Sequence, residues 1–140
     1  MSGKIFVAGP LGFTLPGRTF LTRTLHPALV GNGFSVLDQW AQDEVDPEML
    51  AAENVRMLLE ANAVLAVLDG PDVDSGTAAE IGFASAAGTP IVGYRSSRAG
   101  ARDPKAGINI QVLHLINRSG GSVVSDLDDL ILMLEAVTRL

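Results

Sequence analysis

Ala63-Val64-Leu65-Ala66-Val67-Leu68 is an unbroken apolar run that stops at Asp69-Gly70-Pro71-Asp72-Val73-Asp74-Ser75-Gly76. A strand that is apolar at every position, not at every second one, is covered on both faces, as the central strand of a parallel sheet flanked by helices is. Thr77 to Ala87, rich in small residues and ended by Gly88, reads as the crossover helix, and Pro90-Ile91-Val92-Gly93-Tyr94 as the parallel strand it leads to.

The same alternation extends outward in both directions. Upstream, Ile5-Phe6-Val7-Ala8 closed by Gly9-Pro10 reads as the first strand, and Gly17 to Val30 as a helix with Phe20, Leu21, Leu25 and Leu29 on one side. Ser35-Val36-Leu37 is a short second strand, followed by a polar, irregular stretch from Asp38 to Asp46. Asp46-Pro47-Glu48 is an N-cap, an N1 proline and an acidic first turn, opening a helix to about Ala61. Downstream, the polar segment Arg95 to Gly107 reads as a mobile surface loop. A helix through Asn109 to Ile116, a strand near Val123-Val124 and a closing helix from Asp126 to about Leu140 complete the chain. Five strands alternating with helices predict one α/β domain over residues 1–140, a flavodoxin-like, doubly wound parallel sheet in the order 2-1-3-4-5.

The composition narrows what such a domain can do. With 140 residues, 47% hydrophobic and 19% charged, there is apolar material for one proper core. Without cysteine, disulfides, cysteine metal sites and thiol catalysis are excluded. No apolar run approaches the roughly 18 residues of a membrane span, and Met1-Ser2-Gly3-Lys4 leads into a strand and not a signal peptide, so a soluble, cytoplasmic protein is expected. A net charge of −6, one Trp and one Tyr argue against nucleic acid, which requires basic rows or stacking platforms, and favour a small ligand. Gly9 and Gly12 do not make G-x-G-x-x-G and no phosphate-loop motif is present, so no nucleotide cofactor is expected.

In a doubly wound sheet, ligands bind beyond the carboxyl ends of the strands where the strand order switches. Here that brings together Gly9-Pro10 after strand 1 and the Asp69–Gly76 loop after strand 3. Asp69, Asp72 and Asp74 crowd that loop, and Glu80 lies about one turn into the next helix among Ala, Ile and Gly. Desolvation and neighbouring carboxylates raise the pKa of such an acid, while helix-start N–H groups oppose the rise. Glycosyl transfer requires this inventory: one carboxylate to attack and a second group to manage the leaving group's proton. Capping by Asp69 and Asp74 around a solvated Glu80 is the plainer alternative, but it explains one aspartate better than the set.

Lys4-Ile5-Phe6-Val7-Ala8-Gly9-Pro10-Leu11, the block Leu68 to Ala84 with its D-x-D-S-G-T-A-x-E-I-G pattern, and Gly88-Thr89-Pro90-Ile91 closely resemble the nucleoside 2-deoxyribosyltransferase family. The resemblance implies double displacement: Glu80 as nucleophile, forming a 2-deoxyribosyl ester that an incoming purine or pyrimidine base attacks. It implies that Asp74 binds sugar hydroxyls, and that Asn109 is lent to a neighbour's sugar pocket in a homo-oligomer, a dimer or higher. Nucleosides and free bases would be the partners, with no metal or other cofactor. Asp69 is the candidate for handling the leaving base, and Gly9, Pro10 and Gly76 border the pocket. The chain departs from relatives in carrying Phe6 where many have a tyrosine touching the nucleophile, and Asn54 where some have an acid contacting the base.

Related nucleotide N-glycosidases carry a Gly-Arg similar to Gly17-Arg18 at a 5'-phosphate, so Arg18 is read either as that contact or as a surface ion pair. Ser75 reads first as a helix cap and second as a contact to the same phosphate. His26 and His114 lack a second ligand at metal spacing and read as structural, and Trp40 reads as packing under its loop before it reads as a pocket wall. Arg95, Arg98 and Arg102 read as a solvated loop before they read as guards of the pocket mouth. Two alternatives stand beside base exchange: hydrolysis of (deoxy)nucleosides or nucleoside 5'-monophosphates, and a non-catalytic nucleoside-binding module.

Overall fold

A computed structural model describes residues 3–43, 45–97, 100–101, 103 and 105–139. Five strands, β1 (Lys4–Ala8), β2 (Ser35–Leu37), β3 (Ala63–Val67), β4 (Ile91–Tyr94) and β5 (Val123–Val124), form one all-parallel sheet in the order 2-1-3-4-5, as the alternation predicted. β3 pairs on both sides, Val7 opposite Leu65 and Val64 opposite Ile91, and all five of its residues are buried.

Because side chains alternate across a strand, the sheet has two apolar faces. Ile5, Val7, Leu65 and Val92 pack with Leu21, Leu25 and Leu29 and with Leu130 and Leu134 of the closing helix α6 (Leu127–Thr138). Phe6, Ala8, Val64 and Ala66 face α3 (Pro47–Glu60), α4 (Ser75–Ala87) and α5 (Ile110–Arg118). Asp46 caps α3 as expected, accepting from Met49 N at 3.0 Å.

The first helical stretch is not uniform. α1 (Leu15–Phe20) and α2 (His26–Gly31) are joined by a π-helical segment, Leu21–Leu25, in which the His26 N–H donates to Leu21 O, five residues back. Pro27 has no N–H to give Arg23 and its ring presses on that carbonyl, so the helix widens ahead of it.

Arg95 does not belong to a solvated loop: it is 4% exposed, its N–H extends the ladder to Val124 O, and its side chain turns inward. Farther on, Asp103 ties down the N–H groups of Lys105 and Ala106 through its carboxylate, and its carbonyl accepts from Gly107. Arg98 and Arg102 lie outside the described residues. No described helix is long and apolar enough to cross a membrane.

Candidate active site

The carboxyl ends of β1 and β3 and the chain after β2 converge on a cleft of about 180 Å³. One wall is the start of α4. Asp74 is its N-cap, and Asp74 Oδ2 accepts from Gly76 N at 3.1 Å and Thr77 N at 3.2 Å. The cap starts α4 at Ser75, two residues earlier than expected, and the cap is Asp74 and not Ser75, which is exposed on the first turn. One turn on, Glu80 faces the cleft, half-buried, and its Oε2 is buried without a hydrogen-bond donor. Burial, and then the charge of Asp74, push the Glu80 carboxyl up to about 7.

The opposite wall is neutral. After β2, Asp38 caps a short 3₁₀ turn (Gln39–Ala41) by accepting from Trp40 N at 2.8 Å. Gln39 donates to Val7 O at 3.2 Å and accepts from Asn54 Nδ2 at 3.3 Å, while Asn54 Oδ1 accepts from Gln42 Nε2 at 2.7 Å. Trp40 donates to Gly9 O at 3.3 Å, and the Phe13 ring meets the indole edge-on with centroids 4.7 Å apart. Gly12 makes this fit possible, since a Cβ there would lie 2.0 Å from the Trp40 ring.

Of the residues singled out from sequence, Glu80, Asp74, Gly76, Gly9, Asn54 and Trp40 share the cleft. The others do not line it. Phe6 is fully buried in the core between β1 and the α3–α5 layer. Pro10 closes the 3₁₀ turn (Leu11–Phe13) by accepting from Phe13 N at 3.1 Å. Arg18 donates to Gly12 O at 3.3 Å, bracing the β1 turn. Asn109 is exposed and caps α5, its Oδ1 accepting from Gln111 N and Val112 N at 3.0 and 3.2 Å. Asp69 is exposed, its carboxylate taken by Ser96 and Ser97.

Gln39, Phe13 and Thr77 were not anticipated as cleft residues, and Trp40 was assigned to packing first. For Gln39 and Trp40 a usable signal was the strand order itself, because β2 lies beside β1 and its carboxyl end must open near the same switch point. Among the described residues, no group of three or more His, Asp or Glu side chains is placed to hold a metal ion.

The chain matches the family described as Nucleoside 2-deoxyribosyltransferase over residues 5–127. A conserved protein from Enterococcus faecalis V583 is similar in structure, with 26% identity, a TM-score of 0.80 and 100% of both chains covered. So is a 2-deoxyribosyltransferase from Bacillus psychrosaccharolyticus, at 18% identity and a TM-score of 0.72, over 91% of this chain and 90% of that one. A CMP N-glycosidase from Clostridium botulinum is similar at 18% identity and a TM-score of 0.66, over 95% of this chain and 98% of that one. No curated protein sequence gives a match.

Proposed function

The chain belongs to the nucleoside 2-deoxyribosyltransferase family, and on that premise we propose that it moves a 2-deoxyribosyl group between bases, with Glu80 as nucleophile. The observation that carries this reading is the donor-less, buried Glu80 oxygen facing a cleft beside Asp74. A carboxylate with one oxygen stripped of hydrogen bonds and a pKa raised toward neutrality is a stronger nucleophile than a fully solvated one, and at neutral pH a large part of it is ionised.

In the first step a Glu80 oxygen bonds to C1' as the bond from C1' to the base nitrogen breaks. The bond's electron pair leaves with the base, which takes up a proton. In the second, a nitrogen of the incoming base attacks C1', the ester bond breaks, its electrons return to the Glu80 carboxylate, and the new base gives up its proton. Asp74 uses Oδ2 on the helix N–H groups, which leaves Oδ1 to accept from a sugar hydroxyl. Gln39 and Asn54 each keep an unused N–H and a lone pair with which to orient a base, though an amide supplies no proton. Exposed Asn109, outside its own cleft, is available to a neighbouring copy in a homo-oligomer.

Incubation with 2'-deoxyinosine and adenine tests the reading, following 2'-deoxyadenosine against free deoxyribose. Exchange product in excess of free sugar is the expected outcome. Free sugar alone would make the protein an N-glycosidic hydrolase, and binding without either product a nucleoside-binding module.

A further inference from the structure

Asp69 stands outside the cleft, yet its carboxylate is engaged at both oxygens, Oδ2 accepting from Ser96 Oγ at 2.8 Å and Oδ1 from Ser97 N at 3.2 Å. In the other direction, Arg95 donates through Nη1 to Leu68 O and through Nη2 to Gly70 O at 3.1 Å. The guanidinium therefore holds the two carbonyls on either side of Asp69, while Asp69 holds the two residues that follow Arg95. We propose that Asp69 and Arg95 are positioning residues, a reciprocal latch between the chain ends after β3 and β4 that sets Asp74 and Glu80 in place, and that Asp69 does not handle the departing base.

Strand pairing cannot do this job. The register of β3 with β4 ends at Val67 opposite Tyr94, and the last ladder bond is Leu68 N to Tyr94 O at 2.9 Å. Beyond it the chain turns toward α4 through Gly70, held at a φ of +117° that other residues rarely adopt. Any looseness at the start of this turn moves the Asp74 cap, and with it the helix that carries Glu80. The buried Arg95 meets no carboxylate among the described residues, and its Nε has no partner. A buried cation costs stability unless it is well paired, so a guanidinium spent on two backbone carbonyls points to a demand for geometry at that turn. A proton donor to the base, by contrast, would have to face the cleft, and this carboxylate faces the chain after β4.

The latch rests on the proposed catalytic reading, and its test separates the two. Asp69→Ala, Asp69→Asn, Arg95→Met and Ser96→Ala are compared on 2'-deoxyinosine and on 7-methyl-2'-deoxyguanosine, whose base departs without needing a proton. Asp69→Ala is expected to lower kcat about ten- to hundred-fold on both substrates with KM nearly unchanged, since small misplacements of reacting groups cost that much. Asp69→Asn, which keeps an acceptor oxygen, recovers most of the rate, and adding Ser96→Ala to Asp69→Ala lowers it no further. An Asn variant as slow as the Ala variant, with both rescued by the 7-methyl substrate, would make Asp69 a proton donor and overturn the latch. Hydrogen–deuterium exchange over residues 70–77 gives an answer independent of turnover. It should quicken several-fold in Asp69→Ala and Arg95→Met while β1 is unchanged. Unchanged exchange sinks the latch, whereas failure of the wild type to process either substrate, with quickened exchange in the variants, counts only against the transfer reading.

Discussion

The two walls of the cleft each hide one oxygen without a donor, Glu80 Oε2 on the α4 side and Gln42 Oε1 behind the Gln39–Asn54 side. Their consequences differ because one belongs to an acid and the other to an amide. On the α4 wall burial, and then the charge of Asp74, raise a pKa to about 7 and create a group that changes charge near neutrality. On the amide wall an oxygen of the same kind can only leave a hydrogen bond unmade, a static cost of about 1–3 kcal/mol. On the proposed reading, reactivity is thus confined to one side of the cleft and recognition to the other.

The largest expected effect tests that division directly. Glu80→Ala should lower turnover of 2'-deoxyinosine at least about hundred-fold while the protein stays folded, whereas Gln39→Ala should cost about ten-fold. Equal losses from the two walls would abolish the distinction. The pH profile sharpens it: the proposed attacking form is the carboxylate, so kcat/KM should rise with pH through about 7, following the Glu80 ionisation, and then level off.

Gly12→Ala strikes the amide wall through its packing. The new methyl would fall 2.0 Å from the indole of Trp40, which is itself bonded to Gly9 O, so the ring or the β1 turn must move. A loss of about 2 kcal/mol in stability is expected from urea unfolding, as for other overpacked sites. Adding Trp40→Ala should return part of it; if it does not, the indole is not what excludes a side chain at residue 12.

Glu80→Gln reverses the usual sign of an active-site substitution. The folded-state pKa of about 7 exceeds the ordinary 4.5, so the folded protein binds the proton more tightly and its stability falls as pH rises between those values. The glutamine removes that penalty. It should raise stability by about 2 kcal/mol at pH 8, discounted because Glu80 is only partly buried, with the gain fading as pH falls below about 7 and mostly gone at pH 5. A variant with the same stability as the wild type at both pH values would place the Glu80 carboxylate in water.

The two walls also differ in how far they could be read from the amino acids. Asp74 and Glu80 lie six residues apart on one loop and helix, and the strand before them is apolar at every position, so local pattern placed both at the switch point. The sheet order followed from the same alternation of strands and helices. The amide wall is assembled from Gln39 and Asn54, which belong to different elements, and from Phe13 beyond β1. No periodicity links them, and glutamines in an irregular stretch resemble any solvated loop. Arg95 shows the opposite failure: an arginine after a strand stood out as surface, because hydrogen bonds to a distant backbone leave no mark on spacing.

The smallest predicted effect concerns Asn54, and it decides whether the amide wall recognises or merely packs. Its Nδ2 donates to Gln39 Oε1 and its Oδ1 accepts from Gln42, so together with Val7 O it pins the Gln39 amide in place. In Asn54→Ala both neighbours lose a partner, Gln39 is held by Val7 O alone, and the donors and acceptors offered to a base are no longer fixed in place. Discrimination between adenine and hypoxanthine as acceptors, which have donor and acceptor exchanged at two adjacent positions, the 6-substituent and N1, should therefore shrink by about ten-fold, about 1.4 kcal/mol. The burst of free base that would mark formation of the proposed glycosyl ester should keep its rate, because the proposed mechanism assigns that step to the other wall. A slower burst with acceptor preference intact would show that Asn54 supports the reacting side of the cleft.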